Sequence, residues 1–351
     1  MTLCHFRTSL RLARSSVAPL PLVLPLLLPV LLTACGSGDD DNGPGIVSPL
    51  MQGRVTATTA PMSAVDASIN AGYGSFRAYL PTGGATRAQL FVFLPASPVT
   101  PNDYRLVGEY AAVAGLYSIG LPYVNGRSVN TVCASSADAD CHAHVRQAQL
   151  AGGDVPQAVP AVSISSTDSI QNRLSKTLAY LQTTYPTAGW GQFLDSSGRV
   201  QWSRVRMGGH GEGGVQAGYI ATQMAVVQAC MLSAPGDVVG SAGTTAPAPW
   251  ITAAGTSSAT GAAQFSSFAH RLDLTTTIAT LQAAWTALGL TGAPTSVDGA
   301  APPYGGSHQL TSNLAMAAGT DYHAVTALDL AVPLNGDGTA TYAPAWTAAC
   351  F

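Results

Sequence analysis

Apolar and polar positions along this chain fall into two kinds of block: short continuous apolar runs, and longer stretches carrying a helical stripe. Gln89 to Leu94 (QLFVFL) is an apolar run ended by Pro95, the pattern of a strand buried on both faces. Leu116 to Leu121, Val226 to Leu232 and Phe265 to Ala269 share that character, and Tyr73 to Leu80 reads as a strand ending at Pro81. Arg204 to Met207 is a short strand that runs into a glycine cluster. Between these runs the period changes. After a cap at Asn102 or Asp103, the residues Val107, Tyr110, Ala111 and Ala114 share one helix face. Asp168 to Tyr185 puts Ile170, Leu174, Leu178 and Leu181 on one stripe, and Asp168 with Gln171 has capping-box spacing. Val215 to Ala225 is a third helix. Thr275 to Leu290 is a fourth, with Ile278, Leu281, Trp285 and Leu288 inward and Gly289 near its end. Asn125 to Ser166 shows neither period and is expected as a surface insertion. Alternating strands and helices predict an α/β domain, with a mostly parallel central sheet and helices on both faces.

The N-terminus follows other rules. Arg7, Arg11 and Arg14 precede an uncharged stretch, Val17 to Leu32, made almost entirely of Val, Leu, Pro and Ala. A basic start, an apolar centre and small residues after it describe a secretory signal. Pro19, Pro21, Pro25 and Pro29 break the stretch too often for a stable spanning helix. Leu32-Thr33-Ala34-Cys35 resembles the lipobox of bacterial lipoproteins. That resemblance implies cleavage before Cys35, diacylation of Cys35, and contact with the membrane through that lipid. Gly36, rather than an acidic residue, follows Cys35, which favours the outer membrane within the cell envelope. Gly36 to Pro49 is rich in Gly, Ser, Asp and Asn, cannot bury a core, and reads as a tether. The expected organisation is a signal over 1–34, a lipidated N-terminus and tether over 35–70, and one domain over 71–351.

Charge removes one class of partner. The chain has 15 Lys plus Arg and 18 Asp plus Glu, and losing Arg7, Arg11 and Arg14 leaves 12 against 18, or about −6. Lys176 is the sole lysine. Such a surface cannot neutralise a row of phosphates, so no nucleic-acid partner is expected. With Cys4 in the signal and Cys35 lipidated, Cys133, Cys141, Cys230 and Cys350 remain, an even number for an oxidising compartment. Of three possible connectivities, Cys133 with Cys141 is the local pair, which leaves Cys230 with Cys350. A structural zinc is the rival use, but the chain has no CxxC spacing.

The glycine cluster holds the candidate chemistry. Gly209-His210-Gly211-Glu212-Gly213-Gly214 resembles the Gly-His-Ser-Gln-Gly-Gly nucleophile elbow of α/β-hydrolases, with Gly209, His210, Gly213 and Gly214 in common. From Gln89 to Phe351 the chain also resembles a poorly characterised group of exported bacterial α/β-hydrolases. Gly189-Trp190-Gly191-Gln192, Pro247-Ala248-Pro249-Trp250 and Pro303-Tyr304-Gly305-Gly306-Ser307-His308 carry that likeness. The resemblance implies an α/β-hydrolase fold with position 211 as the nucleophile. It implies an oxyanion hole from the N–H of Glu212 and that of Ala96 or Ser97, Asp273 as the acid, and His323 as the base. Asp237 and Asp298 are weaker acids, and His308 is the rival base. His270 is expected beside the acid and His210 packed under the turn.

Gly211 has no Oγ, so the usual acyl-enzyme cannot form. The favoured expectation is a domain inactive as a serine hydrolase, free of cofactor, that still holds a small-molecule or protein ligand. One alternative is an active or residual carboxylester hydrolase, with Glu212 as a base on water. Another reads Gly209, Gly211 and Gly214 as G-x-G-x-x-G, a dinucleotide site with Asp237 as the ribose-binding acid.

Overall fold

A computed structural model of the chain describes residues 48–240 and 244–351. The expected signal, Cys35 and the first part of the tether lie outside the described residues. The strands are β1 (Val55–Pro61), β2 (Ser75–Pro81), β3 (Leu90–Leu94), β4 (Tyr117–Gly120), β5 (Gly153–Val155), β6 (Val162–Ile164), β7 (Val205–His210), β8 (Gln228–Leu232), β9 (Val238–Val239), β10 (Ala246–Pro247), β11 (Phe265–His270), β12 (Thr295–Ser296) and β13 (Gln309–Ser312). The helices are α1 (Met62–Val65), α2 (Arg105–Val113), α3 (Val129–Cys133), α4 (Cys141–Ala151), α5 (Ile170–Thr184), α6 (Glu212–Gln223), α7 (Pro249–Ala254), α8 (Ile278–Leu288) and α9 (Ala343–Cys350). Among the described residues, no helix is long and apolar enough to cross a membrane.

Nine strands join in the order β1-β2-β4-β3-β7-β8-β11-β13-β12. β2 is antiparallel to both neighbours, β1 and β4, and every other pairing is parallel. The apolar runs explain why both faces are covered. Successive side chains on a strand point to opposite sides. Leu90, Val92 and Leu94 of β3 enter one core with Leu174 and Leu178 of α5, Ile220 of α6, Ile251 of α7 and Trp285 of α8. Phe91 and Phe93 enter the other core, with Val107 and Ala111 of α2 and Trp346 of α9. Each such side chain contributes about 1.5–3 kcal/mol on burial. The α/β architecture read from the sequence is therefore the observed one. Chain direction across the sheet reverses at β3, with β4 on one side and β7 on the other. Leu94 stands opposite Gly209 there, so the carboxyl ends of β3 and β7 flank the crevice where open α/β sheets take ligands.

Several expectations are corrected. The stretch 35–70 is not tether throughout, because β1 pairs along its whole length with β2. The 125–166 excursion is not a bare surface insertion. Val129, Val132, Val145, Ala148, Val155 and Ile164 of α3, α4 and the β5–β6 hairpin form a core of their own. The cap of α5 is Ser169, whose Oγ accepts from the Asn172 N–H at 3.3 Å. Asp168 instead binds Arg173 Nη2 and the Asn70 N–H, each at 2.8 Å. α6 begins at Glu212 rather than Val215 because the turn from β7 leads directly into it. Both disulfides form as expected, Cys133 with Cys141 and Cys230 with Cys350, at Cα separations of 5.8 and 5.0 Å. They fit an oxidising, extracytoplasmic compartment.

Candidate active site

β7 delivers the chain to its carboxyl edge at His210, and a single residue, Gly211, turns it into α6. Gly211 has φ 50° and ψ −117°, a region that strains any residue with a side chain. The surrounding glycines are packed against backbone. A Cβ on Gly213 would collide with the Leu94 carbonyl, and one on Gly209 with Gly213 itself. Gly213, which has the closest of these approaches, is not one of the three glycines in the dinucleotide pattern. The turn therefore accounts for the cluster without a nucleotide.

Asp273 lies just beyond β11, and His323 lies in the loop after β13. His323 Nδ1 donates to Asp273 Oδ2 at 2.7 Å. Asp273 Oδ1 accepts from the N–H groups of Thr275 and Thr276 at 2.8 and 2.9 Å. Asp273 thus braces the turn before α8 and holds a histidine. With Nδ1 turned to Asp273, Nε2 is the ring nitrogen that faces Gly211. That Nε2 lies 2.7 Å from where a Cβ on Gly211 would be, closer than carbon tolerates. The imidazole occupies the space in which a side chain at 211 would start.

His210 sits under the turn, fully packed. Its Nε2 donates to the His323 carbonyl at 2.9 Å, so Nδ1 is the acceptor for the Tyr104 hydroxyl, also at 2.9 Å. Burial, reinforced by neighbouring His323, pulls His210 down to about 3, and it is neutral. Ser233, with φ 50°, donates from Oγ to the same His323 carbonyl at 3.0 Å. The loop carrying His323 is therefore anchored to β7 and β8.

The three expected oxyanion donors divide. Glu212 opens α6, and its N–H and that of Ser97 meet no partner among the described residues. The Ala96 N–H is directed to the Tyr104 hydroxyl at 3.3 Å. The rival residues are occupied elsewhere. His308 Nδ1 donates to the Phe265 carbonyl at 2.8 Å, at the amino end of β11, a strand's length from Asp273. Asp298 accepts from Ser312 Oγ at 2.6 Å. His270 donates to the Leu314 carbonyl at 3.0 Å and stacks on Tyr322.

A buried ion cluster that no local spacing announces lies behind Glu212. Arg146 of α4 binds Asp237 through Nε and Nη2, both at 2.6 Å, and its Nη2 lies 2.9 Å from Glu212 Oε1. Trp250 Nε1 donates to Asp237 at 2.8 Å. Burial alone would raise Asp237, but the charge and hydrogen bonds of Arg146 outweigh it and hold Asp237 low. Burial raises Glu212, and Arg146 offsets it only in part. One guanidinium serves two carboxylates, and Asp237 has the better geometry. Arg146 binds both oxygens of Asp237, whereas Glu212 Oε1, within ion-pair range of Arg146, accepts no hydrogen bond among the described residues.

A cavity of about 470 Å³ opens over Gly211 and His323, lined also by Ser97, Ser128, Asn130, Ser233, Thr275 and the acids Glu212, Asp237 and Asp321. A larger cleft of about 590 Å³, by Gln171, Arg199 and Trp202, is remote from the elbow. Neither the protein-family models nor the curated protein sequences compared with the chain match it. Arg146, Tyr104 and Ser233 are the site residues that sequence reasoning missed. Their roles come from contacts across the fold, and no local spacing announces them.

Proposed function

We propose that this chain is an exported, lipid-anchored protein of α/β-hydrolase type that does not carry out serine hydrolysis and holds a small polar ligand in the elbow cavity. The reading rests on Gly211, at the apex of the strand-to-helix turn, with His323 Nε2 2.7 Å from where a Cβ would be. The Asp273–His323 pair has no hydroxyl to activate at that apex. The cavity is lined by hydroxyls, an amide and the carboxylates of Glu212, Asp237 and Asp321, and suits a ligand that is itself rich in hydrogen-bond donors. The Cys35 lipobox and the two disulfides support export.

Two measurements test this. Short-chain aryl esters should be hydrolysed no faster by the wild type than by His323→Ala. A saturable wild-type rate that disappears in His323→Ala would contradict the reading. Mass spectrometry of the mature protein should find a diacylated Cys35 at the N-terminus, and Cys35→Ala should release the protein from membranes. An unmodified N-terminus would remove the anchor from the account.

A further inference from the structure

A second pocket, of different chemistry, lies along α4. Its volume is about 490 Å³, and α3, α4 and the β5–β6 hairpin form it. Val124, Val132, Val145, Pro160, Val162 and Ile164 give it a mainly apolar wall. Two polar groups stand out in that wall. Gln149 is buried, and its Nε2 donates to the Val124 carbonyl at 2.9 Å, which fixes the orientation of the amide. Its Oε1 is buried and has no partner among the described residues. An unmet buried acceptor costs roughly 1–3 kcal/mol, so this oxygen is a place where a bound donor would be rewarded. Arg127, at the exposed rim, has no ion-pair partner among the described residues. Tyr73 adds an aromatic ring, backed by the Arg173 guanidinium 5.6 Å from its centroid.

An apolar enclosure with a few fixed polar groups is the usual build of a small-molecule site. The geometry points to a binding site for a small hydroxylated amphiphilic acid. Its apolar body packs on the valines and Ile164, its hydroxyl donates to Gln149 Oε1, and its carboxylate meets Arg127 at the rim. The pocket shares none of its lining residues with the elbow cavity, so it stands or falls independently of the function proposed there. The two are neighbours through one helix. Val145 and Gln149 of α4 line this pocket, while Arg146 between them binds Asp237 beside the elbow.

The test is calorimetric titration of the full-length exported protein with 3-(4-hydroxyphenyl)propionate and, separately, with 3-phenylpropionate, which lacks the hydroxyl. The hydroxylated acid should bind one to one, and its analogue about tenfold more weakly. Gln149→Leu should erase that difference. Arg127→Ala, at an exposed position that leaves the fold intact, should weaken both acids. No saturable binding of the hydroxylated acid at millimolar concentration would overturn the proposal. So would equal affinity for the two acids, which would mean that Gln149 Oε1 is served by water alone, or affinity unchanged in Arg127→Ala.

Discussion

At position 211 the absence of a side chain sets what its neighbours can do. His323 is held from two directions, by Asp273 at Nδ1 and by His210 and Ser233 at its carbonyl, and its free Nε2 faces the bare apex. Gly211→Ala should therefore destabilise the protein. The positive φ disfavours any Cβ, and the new carbon must displace the imidazole. A loss of about 1–3 kcal/mol in urea unfolding is expected. Unchanged stability would contradict the apex geometry. This part of the site was legible because four of six elbow residues keep their familiar types. The oxyanion loop was less so. The Ala96 N–H turns to Tyr104, whose hydroxyl meets His210 across 106 residues of chain, and no local pattern carries such a contact.

Among the elements, strands buried on both faces and helices with a strong stripe were readable, and the rest were not, for physical reasons. β1 (VTATTAP) is an edge strand in which only Val55 and Ala60 are buried, so its apolar signal is weak. β13 (QLTS) is polar in sequence yet fully buried, because its polar groups find partners such as Gln309 with the Leu290 and Gly292 carbonyls. α9 is Ala-rich, with little contrast between its faces. α4 hides the central charge of its region: Arg146 is wholly buried, although the surrounding sequence looks like a polar loop. Arg146→Met should cost about 3–5 kcal/mol, since it leaves Glu212 and Asp237 buried without a cation. Arg146→Met combined with Asp237→Leu should recover much of that loss in denaturant titration. If the single variant is as stable as the wild type, the cluster does not join α4 to the elbow.

For the molecule as a whole, the sequence correctly implied two disulfides, and the structure shows what the longer one spans. Cys230 and Cys350 are separated by 120 positions and tie α9 to the middle of the sheet. Cys350→Ser should lower stability by about 2–5 kcal/mol, as the chain-entropy argument requires for so long a loop, and a smaller change would show that α9 is held by packing alone. Glu109 of α2 sets a pH dependence. Burial pushes it up to about 7 from 4.5, and Oε2 has no partner among the described residues. Its folded value is raised, so its contribution is complete below about pH 4.5 and is lost as pH rises through about 7. Glu109→Gln should match the wild type at pH 4.5 and exceed it at pH 8 by up to about 3 kcal/mol in urea unfolding. A wild type more stable than the variant at pH 8 would reverse the sign of the argument. The central claim, an Asp273–His323 pair facing an apex without a nucleophile, is tested most directly by fluorophosphonate labelling of wild type and Gly211→Ser side by side. The wild type should take no label. Gly211→Ser, once His323 gives way to the new side chain, should be labelled at residue 211, and adding His323→Ala should remove that label. Labelling of the wild type at a serine in the elbow cavity would contradict the account.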